Sequence, residues 1–245
     1  WRTKDMNKLE YGIGLMINNF RGMGETLLLN YRLGNFTKLE LEYRGILLDK
    51  AEYNSLSFIA TWSAKKLLPY IIQSDKQVVL KEDYKLIESV NIAVRYRYRK
   101  GYFNSHNIEF GYTDFRIADT ILLLNPYFAG LNNHGQRYFN LKYTFTRDNR
   151  DSRIYPKTGH LIEISLNRKG LSLLPDEYNE TEINALCYSY HKIIPGFYLG
   201  SGIWYSATSG DQHSFASETG LGYLQFVMGY EYYAVNGNNA ILFKI

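Results

Sequence analysis

Proline, cysteine and unbroken apolar runs are what this sequence has least of. Five prolines in 245 residues remove few backbone donors, so long hydrogen-bonded ladders can run without gaps. The single cysteine, Cys187, excludes an internal disulfide and any multi-cysteine metal site, and reads as a small apolar side chain. No run of eighteen apolar residues occurs, which removes a membrane-spanning helix. The same absence leaves a membrane β-barrel open, because a barrel spreads its lipid face over every second residue. No stretch has the period of a long amphipathic helix. Charge of one sign is also scarce: the net charge is +4 with basic residues scattered, which permits an anionic partner without requiring one.

Tyrosine and glycine are plentiful. The chain has 23 Tyr, 13 Phe and 20 Gly, a composition that favours strands and turns over disordered linkers. The pattern agrees. In "TKLELEYRG", Leu39, Leu41 and Tyr43 share one face of an extended chain, and Lys38, Glu40, Glu42 and Arg44 share the other. In "SVNIAVRYRYRK", Val90, Ile92, Val94, Tyr96 and Tyr98 oppose Asn91, Arg95, Arg97 and Arg99. Nine further segments alternate in the same way. They are "KLEYGIGLMINNF", "ETLLLNYRL", "SLSFIATWS", "HNIEFGYTD", "YFNLKYTFT", "GHLIEISLN", "NALCYSYHK", "FYLGSGIWYS" and "NAILFKI".

Eleven alternating segments predict an all-β antiparallel protein. A soluble sandwich and a transmembrane up-and-down barrel both alternate, and three features favour the barrel. Tyrosines recur near the ends of the apolar faces (Tyr11, Tyr43, Tyr96, Tyr98, Tyr112, Tyr188, Tyr190 and Tyr205), where interfacial rings belong. The polar faces mix both signs of charge with glycine, as a wet lumen allows. Short connections such as "RKGYFNS" and "HKIIPGF" alternate with the long segments Lys65–Glu88, Ile117–Gln136 and Ser206–Gly237. On this reading Lys38, Glu40, Glu42, Arg44, Arg95, Arg97 and Arg99 line the lumen. Nucleic acid is not the expected partner, because a strand built for it would set arginines and stacking rings on the same face.

Two segments carry more information than alternation. "TFTRDNRDSRIYPKTGHLIEISL" runs a strand through Asp148, Arg150 and Asp151 into a turn closed by Pro156 and Gly159. "ETGLGYLQFVMGYEYYAVNGNNAILFKI" is a Gly- and Tyr-rich loop that is too apolar at Phe226 and Val227 to be simply solvated.

In this order and at this spacing, the two resemble the outer-membrane surface-antigen superfamily, the BamA/TamA-like group of barrel assembly and translocation proteins. The resemblance maps the family's strand-eight signature onto Asp148, Arg150, Asp151, Pro156 and Gly159. It maps the tip of the family's long sixth loop onto Val227, Met228, Gly229 and Tyr230. Where the family carries arginine, this chain has Met228, which cannot form a bidentate charge-assisted bond, so packing would have to hold that loop. "YGIGLMINNFRGMGETLLLNY" looks like the family's second and third strands with their turn at Asn19, Phe20, Gly22 and Gly24. "IADTILLLNPYFAG" and "GYEYYAVNG" are most similar to a short, Bacteroidetes-type branch.

The resemblance implies a sixteen-stranded barrel, of which residues 1–245 cover about strands two to twelve, without POTRA domains and without the last strands. Eleven strands do not make the even-numbered bacterial barrel, so a longer protein or a completing partner is expected. It further implies an integral outer-membrane protein with short turns periplasmic and long loops extracellular. The implied partners are outer-membrane lipid and lipopolysaccharide, unfolded outer-membrane protein clients and accessory lipoproteins. No cofactor, metal or covalent chemistry is implied.

Two alternatives stay open. One is a channel or secretion pore, with Lys38, Arg44, Arg95, Arg97 and Arg99 setting ion preference. The other is a barrel anchoring a separate hydrolase domain. Against an enzyme within these residues, no Gly-x-Ser-x-Gly elbow occurs, and His106, His134, His160, His191 and His213 lack metal-ligand spacing, reading instead as loop or lumen residues. The acidic clusters "KEDY" and "PDEY" are expected in solvated, lipopolysaccharide- or partner-facing loops.

Overall fold

Strand-forming alternation predicts which segments pair, and the computed structural model, which describes residues 10–210, 214–222 and 233–245, shows the pairing. The strands in chain order are β1 (Tyr11–Asn18), β2 (Thr26–Leu33), β3 (Phe36–Leu47), β4 (Asn54–Lys65), β5 (Leu67–Gln73), β6 (Lys76–Lys81), β7 (Ile87–Tyr98) and β8 (Asn104–Ile117). There follow a six-residue helix α1 (Asp119–Leu124), then β9 (Gly135–Asp148), β10 (Gly159–Lys169), β11 (Glu180–Ile194) and β12 (Phe197–Gly210). A 3-10 turn at Phe215–Ser217 precedes β13 (Thr219–Gly222), β14 (Ala234–Gly237) and β15 (Asn239–Lys244).

Eleven of these strands form one sheet in the order β1-β2-β3-β4-β7-β8-β9-β10-β11-β12-β15. They are the eleven segments expected from alternation. Every neighbouring pair is antiparallel, so the sheet is an up-and-down meander. Its order departs from sequence order only where the β5-β6 and β13-β14 hairpins are inserted. Among the described residues, β1 and β15 each pair on one side and not with each other.

Directly paired residues in an antiparallel ladder point to the same face, so the register assigns each side chain a side. Leu39 pairs with Trp62 and Tyr31, and Leu41 with Ala60 and Leu29. Leu39 and Leu41 are 43% and 47% exposed, with no second layer of protein over them among the described residues. The same face continues through Ile92, Phe110, Leu141, Ile164 and Ile203, all exposed. A soluble protein does not leave so wide an apolar face in water.

Rings mark both margins of this band. At one margin the Trp62 indole donates to Glu88 at 2.8 Å beneath the Lys85 ammonium. At the other, the His106 ring packs at a tilt against Phe145 and bonds the Tyr143 hydroxyl at 2.8 Å. Such an outward position departs from the loop or lumen site expected of His106. Its register partners, Tyr98 and Phe145, place it on the apolar side.

The face expected for β11 is reversed. Leu186, Tyr188 and Tyr190 pair with Trp204, Gly202 and Gly200 of β12, while Ala185 and Cys187 pair with the outward Tyr205 and Ile203. Tyr188 and Tyr190 therefore lie over the interior, each ring resting on a glycine of β12. Glycine leaves the strand bare, and a ring from the next strand covers it.

The connections divide by end, as expected. The β1-β2, β3-β4, β7-β8, β9-β10 and β11-β12 turns lie at one end. The segments carrying β5-β6, α1 and β13-β14 lie at the other, and there the chain builds its main apolar cluster. Leu68, Leu86, Ile117, Ile121, Phe128 and Ala129 are buried together, with Tyr70 and Phe215 packed against them. Phe215 N–H donates to the Tyr127 carbonyl at 3.0 Å, and Ala234 N–H to the Asp75 carbonyl at 2.8 Å. Hairpin, helix segment and final loop thus meet, although their roots lie several strands apart in the sheet.

Candidate functional site

The interior face of the sheet concentrates the polar chemistry. Its side chains run in rows across the register. One row passes through Asn30, Glu40, Thr61, Asn91 and Thr113. Another passes through Thr26, Arg44, Ser57, Arg95, Glu109, Lys142, Asn167 and Glu182. Opposite charges and amides placed side by side can satisfy one another without water.

Of the seven charges expected to line a lumen, Lys38, Glu40, Glu42, Arg44, Arg95 and Arg97 share this face of the sheet, and Arg99 follows the end of β7 in the turn. Lys38 and Glu40 pair at 2.8 Å, and the Asn30 amide donates to the second Glu40 oxygen at 3.1 Å. Glu42 and Arg44 are 3.8 Å apart. Arg95 pairs across the strands with Glu109 at 2.6 Å, a partner that alternation within one segment could not identify. Arg97 has no carboxylate within ion-pair distance among the described residues, and the Arg99 guanidinium donates to the Tyr102 carbonyl at 3.1 Å.

A more buried cluster, absent from the sequence expectation, sits where β10 and β11 reach the long-loop end. The Lys169 ammonium bonds Glu180 and lies 3.9 Å from Glu182, with its side chain only 14% exposed. The Tyr178 hydroxyl donates to Glu180 at 2.7 Å. Burial, followed by that carboxylate, pushes the Tyr178 phenol well above the ordinary tyrosine range. Nearby Glu177 accepts backbone N–H bonds from Phe139, Leu171 and Leu173 at 2.5, 3.1 and 3.0 Å. Burial opposes its charge, but these donors win and hold the carboxyl below its usual value. The "PDEY" cluster is therefore not simply a solvated loop: Glu177 is buried and ties the β10-β11 connection to β9.

The strand-turn signature is built at the opposite end. Asp148 ends β9 facing inward, and Arg150 clamps both of its oxygens, with Nε to Oδ1 at 2.8 Å and Nη2 to Oδ2 at 3.0 Å. Both side chains are largely buried, so the two-pronged geometry is worth more than a surface pair. The bond to Asp148, first of all, raises the Arg150 guanidinium above its ordinary value. Asp151 Oδ1 accepts the N–H groups of Ser152, Lys157 and Thr158 at 2.9, 2.9 and 3.2 Å, wrapping the turn that contains Pro156. Gly159 has φ +99°, and a Cβ there would stand 2.4 Å from the Asn149 carbonyl oxygen, so only glycine can restart the ladder. Ion pair, carboxylate cradle and glycine together brace the turn.

The loop-tip residues Val227, Met228, Gly229 and Tyr230 lie outside the described residues. The strands on either side of their segment, β13 and β14, pair from Thr219–Gly237 to Gly222–Ala234. Among the described residues no group of three His, Cys, Asp or Glu side chains is placed to hold a metal ion.

No family model and no curated protein matches this sequence. Solved structures do match the fold. The chain is similar to the crystal structure of BamA from Haemophilus ducreyi lacking POTRA domains 1-3, with a TM-score of 0.64 at 16% sequence identity. The match covers 90% of this chain and 43% of that one, so the chain spans less than half the length of the solved protein. At this identity the likeness shows the fold, a BamA-like antiparallel sheet.

Proposed function

We propose that this chain is the barrel part of an outer-membrane protein that helps insert or translocate other outer-membrane proteins. The observation that carries the reading is the BamA-like fold over 90% of the chain, combined with a wall that is apolar outside and charged inside. Hydrocarbon on one side and water on the other is the environment in which both faces of such a sheet are satisfied. The short turns then face the periplasm and the long loops the cell exterior.

The mechanism is non-covalent. An unpaired strand edge in a membrane is a template for an incoming strand, and β-augmentation at a barrel seam guides a client into the bilayer. The Asp148–Arg150 brace and the Asp151 cradle stiffen the interior wall beside β10. The clients are unfolded outer-membrane proteins, with lipid, lipopolysaccharide and accessory lipoproteins around the barrel.

The packed long loops count against an open channel. Gln136 donates to the Ala129 carbonyl and to Ser214 Oγ, and Ser214 to the Phe128 carbonyl, so two long connections are cross-tied at the exterior end. Depleting the protein in its native host and quantifying the outer-membrane proteome tests the reading. Other β-barrels should fall in abundance together. Unchanged levels reject it.

A further inference from the structure

The interior face carries an arc of cations at its short-turn end. Arg97 points inward from β7 with Ser55 and Asn107 as register partners, neither of them acidic. Arg99 continues the ladder through its N–H bond to the Tyr53 carbonyl at 2.7 Å, so its side chain keeps the inward phase of Arg97. Arg99 and Arg153 are the charges that bear on the Arg97 guanidinium. Further along the arc, the Lys157 ammonium lies 5.6 Å over the Tyr198 ring. Lys192 is the register partner of that tyrosine and shares the inward phase of Tyr190.

The carboxylates at this end between β7 and β12 do not neutralise the arc. Asp148 has both oxygens in the Arg150 fork, which leaves Arg153 on its flank at 3.4 Å. Asp151 Oδ1 is occupied by three backbone N–H groups. Glu163 accepts the Thr146 hydroxyl at 3.5 Å. With Asp148 cancelled by Arg150, the five cations of the arc face Asp151 and Glu163 alone. Such an imbalance on one wall attracts an anion of matching shape.

The spacing of the arc selects that shape. From β7 to β12 it crosses five strand intervals, about 24 Å at the usual separation of neighbouring strands. A lone phosphate or carboxylate meets one or two of these groups. An extended peptide with an acid at every second residue repeats its charge about every 7 Å and meets them in succession. The adjoining turn tips suit the residues between the acids, because Tyr102, Phe103, Ile154 and Tyr155 are all exposed there. Resting on the barrel reading above, we propose that this arc docks an extended acidic polypeptide segment, its carboxylates alternating with apolar side chains, at the short-turn mouth of the lumen.

The test reconstitutes the full chain in phosphatidylcholine nanodiscs and titrates it with a fluorescein-labelled peptide of alternating glutamate and leucine, read by anisotropy against empty discs. The native chain should bind the peptide saturably, and more weakly as salt rises. A matching peptide with glutamine in place of glutamate should bind on the order of tenfold more weakly. The variant combining Arg97→Gln, Arg153→Gln, Lys157→Gln and Lys192→Gln should lose affinity by a similar factor while keeping its strand circular dichroism. The control Lys76→Gln with Lys81→Gln, at the long-loop end, should bind as the native chain does. No saturable binding by an inserted native chain, equal affinity for the two peptides, or equal affinity in the fourfold variant overturns the arc. Tighter binding of dextran sulfate than of the glutamate peptide overturns it in favour of a polysaccharide partner. Failure of the native chain to insert into the disc removes the barrel reading itself, and the arc with it.

Discussion

Replacing Gly202 by alanine should destabilise the protein, and the reason lies on the neighbouring strand. A Cβ at Gly202 would stand 2.2 Å from two ring carbons of Tyr188, closer than any real Cβ contact. The ring cannot simply swing aside, since Tyr190 lies with its centroid 6.5 Å away and Leu161 is its register partner on β10. Forcing one methyl into such a contact costs about 1–3 kcal/mol. Against this, alanine lowers the entropy of the unfolded chain by about 0.4–1 kcal/mol where the backbone conformation suits it. The net effect of Gly202→Ala is a loss of roughly 0.5–2 kcal/mol. In a Tyr188→Ala background the clash is gone and only the entropic gain is left, so the sign should invert. Urea midpoints in lipid vesicles, followed by fluorescence of the adjacent Trp204, would read both. A neutral Gly202→Ala, or the same loss with and without the ring, would refute the inward placement of Tyr188. Gly200→Ala makes a useful comparison, because its nearest ring atoms in Tyr190 are 3.0 Å away and the cost should be smaller.

Two further outcomes follow from the same faces and turns. Leu41→Arg puts a charge on the outer face and should cost about 2–4 kcal/mol in vesicles. Thr61→Arg points inward beside Glu40 and should stay within roughly 1 kcal/mol, both read by urea titration. Asp151 has a carboxyl held below its usual value by the N–H groups of Lys157, Thr158 and Ser152, so it stabilises the turn above the ordinary aspartate range and loses that effect as pH falls through its depressed pKa. Asp151→Ala should therefore weaken the protein at pH 7 and make progressively less difference as pH drops below about 4, measured by equilibrium unfolding at each pH.

The strands were legible because a sheet with different solvents on its two faces writes a two-residue period into every segment. In "TKLELEYRG" no residue breaks the rule, and β3 appears as read. In "NALCYSYHK" neither face is cleanly polar: Ala185, Cys187 and Ser189 alternate with Leu186, Tyr188 and Tyr190. Periodicity cannot orient such a strand. The signal that does orient it is the Gly-x-Gly of Gly200 and Gly202 on the next strand, bare positions that rings from β11 cover, and only the register discloses that they are opposite. The β5-β6 hairpin went unread because its apolar residues pack against a local cluster of loops and keep no alternating face.

The site was legible in the same uneven way. Lys38 with Glu40, and Asp148 with Arg150, are two residues apart and can be paired from sequence alone. Arg95 with Glu109 and Lys169 with Glu180 join different strands, and their pairing depends on a register that no single segment encodes. Glu177 looked like a loop acid because its three donors are backbone groups, which any sequence supplies.

The central claim is that the outward side chains lie in hydrocarbon while their neighbours stay wet. Cysteines placed one at a time at positions 38 to 43 in a Cys187→Ser background, reconstituted in vesicles and probed with a water-soluble maleimide and with brominated lipid, test it most directly. The account predicts strict alternation: positions 39, 41 and 43 shielded from the maleimide and close to the bromine, and positions 38, 40 and 42 the reverse. Uniform labelling along the strand, or alternation in the opposite phase, would contradict it.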